Sequence, residues 1–218
     1  MRHNADFIFF DLETGGLTFL KCPACEIAVI RLNWKLEEVE RYRAIIAPHD
    51  KGNWNDPKLP WGLYAPQALE VNKLTMKEIE GGKDSKLVVR ELIELFKRSK
   101  KESGKAPILV GHNIIKFDNP YLENFFARHK EDLWKFVEKD HFVDTMWWGR
   151  MKYEESDNYK LGTCCSNEGI DLTGESAHTA EGDITANCEL AKIYIKGLRG
   201  EGSAQVTSKK RFRESFQF

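Results

Sequence analysis

The stretch FFDLETGGL, residues 9–17, constrains this chain most. It is an apolar run that ends by placing two carboxylates, Asp11 and Glu13, beside a pair of glycines. Side chains along a strand alternate between faces, so acids two residues apart point the same way. Like charges held together repel, and folding gains nothing from the pairing. A cation seated between the two acids would remove the repulsion. The question for the remaining residues is whether they supply the other walls of such a site.

The pattern around that strand alternates short apolar runs with amphipathic ones. DFIFFDLE (6–13) reads as a buried strand, and residues 25–34 and 39–47 read as the next two, paired as a hairpin. An irregular segment, 48–66, is rich in Pro, Gly and Asn and carries Trp54, Trp61 and Tyr64 on what reads as exposed loop. Those aromatics could stack on bases, but pinning the loop to the body is the preferred reading. A short helix follows in APQALEVNKLT, then a longer one over 85–100. Residues 106–111 form a strand running into a polar turn. Residues 119–137 read as a helix with Pro120 in its first turn. The segment 141–151 reads as a strand turning into helix, with Trp147 and Trp148 in the core or in a subunit contact. The last helix, 180–198, presents Ile184, Cys188, Ala191 and Ile195 as a core-facing stripe. There is no internal repeat. This order predicts an α/β layer fold, a mixed central sheet flanked by helices, in one domain over 1–200. A basic, aromatic tail, 201–218, alternates Phe212, Phe216 and Phe218 with polar residues. It is expected to pack as a strand on the body or on a second copy of the chain, as in a homodimer.

Composition limits the rest. With 218 residues, 41% hydrophobic and 31% charged, the chain reads as a soluble globular domain rather than a disordered or membrane protein. No apolar run approaches the roughly 20 residues that span a bilayer, and the N-terminus shows no cleavage site. A cytoplasmic location with no membrane partner is expected. The odd count of five cysteines points to reduced thiols. The C-x-x-C at Cys22 and Cys25 lacks the second pair a zinc ribbon needs, because Cys164 and Cys165 are adjacent. The net charge of −1 does not advertise nucleic-acid binding, but clustered acids lower the total where metals would restore it. The basic runs at 96–105 and 208–216 read as solvated surface.

Further acids stand where an α/β fold places its sites, at strand ends and helix starts. After the strand 106–111, GHNIIKFDNP puts Asp118 at the beginning of a helix. Before the last helix, SAHTAEGD puts His178 in a loop and Asp183 in the first turns. Taken singly, each has an ordinary structural reading: Asp118 as a helix-start residue, His178 as a surface histidine. Together they match what two-metal phosphoryl chemistry requires. Two divalent ions about 3.5–4 Å apart clamp the attacking and leaving oxygens of an in-line displacement. Hard Mg²⁺ or Mn²⁺ prefers carboxylate oxygens, and a neutral histidine can take the proton of the attacking water.

DLET at 11–14, HNIIKFD at 112–118 and HTAEGD at 178–183 resemble, in order and spacing, the three exonuclease motifs of the DnaQ-like DEDDh family. The resemblance covers roughly residues 5–198. The three-residue gap in HNIIKFD, the FDNP and the HTAEGD are most similar to the Trex-type members, although their proline-rich insertion is absent. The resemblance implies a ribonuclease H-like fold and removal of nucleotides from 3′ ends as 5′-monophosphates. It implies Asp11, Glu13 and Asp183 on a first Mg²⁺ or Mn²⁺, Asp11 and, through water, Asp118 on a second, and His178 as general base. Thr14, Gly15, Gly16 and Leu17 would seat the terminal nucleotide, with His112 and Asn113 shaping the groove or merely bracing the turn. DNA, single-stranded first, is the expected substrate. A 3′→5′ exoribonuclease is the alternative in the same chemistry, and a non-catalytic nucleic-acid or partner-binding module is the alternative from another class.

Overall fold

The structure is a computed structural model and describes residues 4–48, 62–139, 142–172 and 179–201. Five strands form one mixed sheet in the order β3-β2-β1-β4-β5. They are β1 (Phe7–Thr14), β2 (Ala24–Leu32), β3 (Glu38–Ile45), β4 (Ile108–Gly111) and β5 (Val143–Asp144). β1 to β3 run antiparallel as a meander, and β4 and β5 add parallel to β1. The carboxyl ends of β1, β4 and β5 therefore share one edge. The helices are α1 (Pro66–Asn72), α2 (Met76–Glu80), α3 (Ser85–Ser103), α4 (Asp118–Arg128), α5 (Thr145–Lys152), α6 (Leu161–Asn167) and α7 (Ala180–Leu198).

The alternation of β1 divides the core in two. Ile8, Phe10 and Leu12 pack with Val88, Leu92 and Phe96 of α3 and Leu122, Phe125 and Phe126 of α4. Phe7 and Phe9 point the other way, onto Ile184, Cys188, Ala191 and Ile195 of α7, the stripe its sequence predicts. Asp11 and Glu13 continue the Phe7–Phe9 row, so both acids face α7 at the sheet's carboxyl edge.

Three expectations are revised. The helix expected over 119–137 ends at Arg128; Lys130 takes a left-handed φ of 61°, and Asp132 caps a separate 3-10 turn, Leu133–Lys135, by accepting from Trp134 N at 3.1 Å. Tyr64, expected on an exposed loop, is buried with Cys25, Leu74 and Ile79. α6 was not foreseen: LGTCCSN is short, with weak helix formers and no apolar period. It is held instead by Cys164 and Cys165 packing on Ala186, Leu190 and Tyr194 of α7. Trp148 packs partly buried between the α7-facing clusters, whereas Trp147 is 46% exposed. The five cysteines are free and buried. Among the described residues no helix is long and apolar enough to cross a membrane. Trp54, Trp61 and the tail from 202 onward lie outside the described residues.

Candidate active site

The carboxyl edge opens into a cleft of about 250 Å³ lined by Asp11, Leu12, Glu13, Val71, His112, Asn113, Phe117, Asp118, Leu161 and Asp183. Four acids from three elements thus meet at one place. Asp11 and Glu13 come from β1. Asp118 is the first residue of α4, where helix N-terminal partial charge favours an anion. Its Oδ1 accepts from Leu12 N at 3.2 Å, which ties α4 to the strand between the two β1 acids. Asp183 lies in the first turn of α7, whose cap Thr179 accepts from Gly182 N at 3.1 Å. His178, the residue before that cap, lies outside the described residues.

The electrostatics of the cleft are those of buried acids crowded together. Burial, then Asp118, Glu13, Asp183 and Glu26, push the Asp11 carboxyl well above the usual carboxylate range. Glu13 is pushed up to about 7 by burial and by Asp183, Glu26 and Asp118. Asp118 is also pushed up to about 7, chiefly by burial, with the Leu12 N–H and its own backbone N–H opposing and Asp144 adding. Oxygen-rich donors of this charge suit a hard divalent cation. The acids line the cleft without closing on a point: among the described residues, no three His, Cys, Asp or Glu side chains form a ready ligand group. The donor chemistry fits Mg²⁺ or Mn²⁺.

The turn after β1 is rigidly built. A Cβ on Gly15 would stand 2.7 Å from Leu63 O, and one on Gly16 2.7 Å from Cys22 Sγ, so the chain passes too close for any side chain. The carbonyls of the turn are engaged. Thr14 O accepts from Asn72 Nδ2 at 2.8 Å and Gly15 O from Ala65 N at 2.7 Å. Gly16 O accepts from both the Thr14 hydroxyl, 2.7 Å, and the Tyr121 hydroxyl, 2.6 Å. Leu17 projects from this turn 87% exposed.

His112 and Asn113 line the cleft but hold the turn after β4. Burial lowers the His112 pKa, which favours the neutral ring. Nε2–H donates to Tyr159 O at 2.8 Å, and Nδ1 stands 2.9 Å from the Thr145 hydroxyl oxygen. Asn113 has a left-handed φ of 63°, and its N–H donates to Asp144 Oδ1 at 2.8 Å. Asp144 was missed by the sequence reading. It is buried, caps α5 by accepting from Met146 N at 3.0 Å, and so braces the turn that delivers Asp118. An Asp directly before a helical run was the available signal. Val71 and Leu161 were also missed, since they reach the cleft from α1 and the unforeseen α6.

A family model described as Exonuclease (RNase T) matches residues 8–191. The chain belongs to this exonuclease family. Its place is among the DnaQ-like, ribonuclease H-like folds. A curated relative is the PolC-type DNA polymerase III of Streptococcus pyogenes, 27% identical over 197 residues, or 90% of this chain and 12% of the polymerase. The chain thus spans about an eighth of the length of the curated relatives it matches. Among solved structures, an exonuclease I superposes with a TM-score of 0.71 at 21% identity, over 89% of this chain and 41% of that one. E. coli exonuclease I in complex with a dT13 oligonucleotide gives 0.69 at 20% identity, over 97% and 43%. These likenesses bear on the fold, a five-stranded mixed sheet flanked by helices.

Proposed function

We propose that this chain is a divalent-metal-dependent 3′→5′ exonuclease that shortens single-stranded DNA and releases 5′-mononucleotides. The observation that carries the reading is the convergence of Asp11, Glu13, Asp118 and Asp183 on one cleft at the carboxyl edge of the sheet. Membership of an exonuclease family supports it. DNA is favoured because exonuclease I has been captured with dT13 and dA16 oligonucleotides and the curated relative is a DNA polymerase.

Asp11, Glu13 and Asp183 would hold one cation, and Asp11 with Asp118 a second. Bound in pairs, such ions supply charge neutralisation at the phosphate and activation of the attacking water. Asp118 is held in place by its Oδ1 accepting from Leu12 N. His178, five residues before Asp183, takes the proton of the attacking water as that water's oxygen bonds to phosphorus. The bond from phosphorus to the 3′ oxygen breaks. That oxygen stays on the shortened strand, and the departing nucleotide keeps a 5′-phosphate. The fixed turn Thr14–Leu17 seats the terminal nucleotide, with Leu17 against its base. His112 and Asn113 contribute by holding the turn that presents Asp118.

The test compares matched DNA and RNA oligomers, single- and double-stranded, carrying a 3′ label, with Mg²⁺ or Mn²⁺ and with a chelator. Metal-dependent loss of label fastest from single-stranded DNA, absent in Asp11→Asn, is the expected result. Faster loss from RNA would replace the substrate assignment by an exoribonuclease. Binding with no metal-dependent release would replace the enzyme by a binding module.

A further inference from the structure

Beyond the four acids of the cleft, a fifth carboxylate stands on the same face of the sheet. Glu26 of β2 lies directly opposite Glu13 in the antiparallel pairing and is 1% exposed. Edge strand β3 carries Arg41 and Arg43 on this face too. Their cross-strand partners are Ile30 and Ala28, which pack into the cluster under α7. Arg43 Nε donates to Glu26 Oε1. The same guanidinium reaches out to α7, with Nη1 3.6 Å from Glu181 Oε2. Arg41 Nη1 stands 3.6 Å from the other Glu181 oxygen and donates to the Thr185 hydroxyl at 3.1 Å. Glu181 and Thr185 are one helical turn apart and flank Asp183.

We propose that Arg43 is a positioning residue for the carboxylate cleft, bridging Glu26 of β2 to Glu181 of α7 so that the turn carrying Asp183 is held against the strand pair carrying Glu13. Arg43 does not line the cleft. It acts through Asp183, and the inference rests on the exonuclease reading in taking Asp183 and Glu13 as cation ligands. Two physical roles for this arginine predict opposite signs. A guanidinium that is only a neighbouring charge repels a cation in the cleft, so removing it would tighten cation binding. A guanidinium that fixes ligand geometry loosens the site when removed, and loss of such outer support typically weakens metal affinity or activity by about 10–100-fold.

The experiment titrates Mn²⁺ into the full chain by calorimetry, with no nucleic acid present, for wild type, Arg43→Gln, Arg43→Lys and the double variant Arg43→Gln/Glu26→Gln. Arg43→Gln is expected to bind Mn²⁺ roughly tenfold more weakly. Arg43→Lys, which keeps the charge but not the two-sided reach, is expected in between. The double variant leaves net charge unchanged and does not leave the Glu26 carboxylate buried without its arginine, which protects the fold if the single variant fails to fold. It too is expected to bind more weakly. On single-stranded DNA, kcat should fall with KM unchanged. Mn²⁺ affinity in the double variant equal to wild type, or tighter binding by Arg43→Gln, overturns the inference while leaving the exonuclease reading intact. A wild-type protein that neither binds Mn²⁺ nor cleaves overturns both.

Discussion

Replacing Glu13 by Gln should make the metal-stripped protein more stable above neutral pH even as it disables the site. In the folded protein this carboxyl is pushed from 4.5 to about 7, first by burial and then by Asp183, Glu26 and Asp118. Below about pH 4.5 the group is protonated whether the chain is folded or not, and it costs nothing. As pH rises toward about 7 the unfolded chain releases this proton more readily than the folded one, so stability falls. Above about 7 the full penalty applies. At about 1.4 kcal/mol for each unit of pKa separation, that penalty has a ceiling of about 3 kcal/mol. Solvent on the open side of the cleft and relaxation of the other acids reduce it, and about 1–2 kcal/mol is the working expectation. For a chain of this length, each kcal/mol moves Tm by about 2–4 °C. Glu13→Gln should therefore melt about 3–6 °C above wild type near pH 8 in chelator, with the gain shrinking to about a quarter of that near pH 5. Differential scanning calorimetry at the two pH values reads this directly. Adding Mn²⁺ near pH 8 should raise the wild-type Tm more than that of the variant, because cation binding offsets the same repulsion. An equal gain at both pH values would refute the electrostatic account, since lost packing or a new hydrogen bond would not depend on pH in this way. A loss of stability near pH 8 would refute it outright.

His178→Ala should retain Mn²⁺ and oligonucleotide binding while kcat falls by about 10²–10⁴-fold, the usual contribution of a general base; wild-type turnover in single-turnover assays would remove the histidine from the chemistry. Tyr121→Phe deletes the 2.6 Å bond to Gly16 O but leaves that carbonyl its bond from Thr14. It should cost about 1 kcal/mol of stability and raise KM more than it lowers kcat, because the Gly15–Gly16 turn loses one of its clamps. An unchanged KM would show that this turn does not seat the substrate.

The parts of the site that were legible in the sequence depend on short-range geometry. Asp11 and Glu13 share a face because strand side chains alternate, and Asp118 and Asp183 head helices because the polar turns before them end there. The α7 stripe was legible for the same reason, since a 3.6-residue period needs no knowledge of the partner surface. The end of α4 at Arg128 was not legible: apolar Leu133 and Val137 continue the pattern, yet they reach the α4-side core from a 3-10 turn and the loop after it. α6 was illegible because its helix is stabilised by α7 and not by its own residues. Glu26 shows the boundary most clearly. Within CEIAVIRL it is one of two charged residues in an otherwise apolar strand, and nothing local singles it out. Its meaning comes from the cross-strand register, which sets it against Glu13 on one side and diagonally from Arg43 on the other. A register one residue different would send Glu26 to the α3 face, away from both. The acids that meet in the cleft can therefore be found by reading along the chain. The residues that hold them in place become visible only when strands are read against each other, and variants such as Arg43→Gln test the second group.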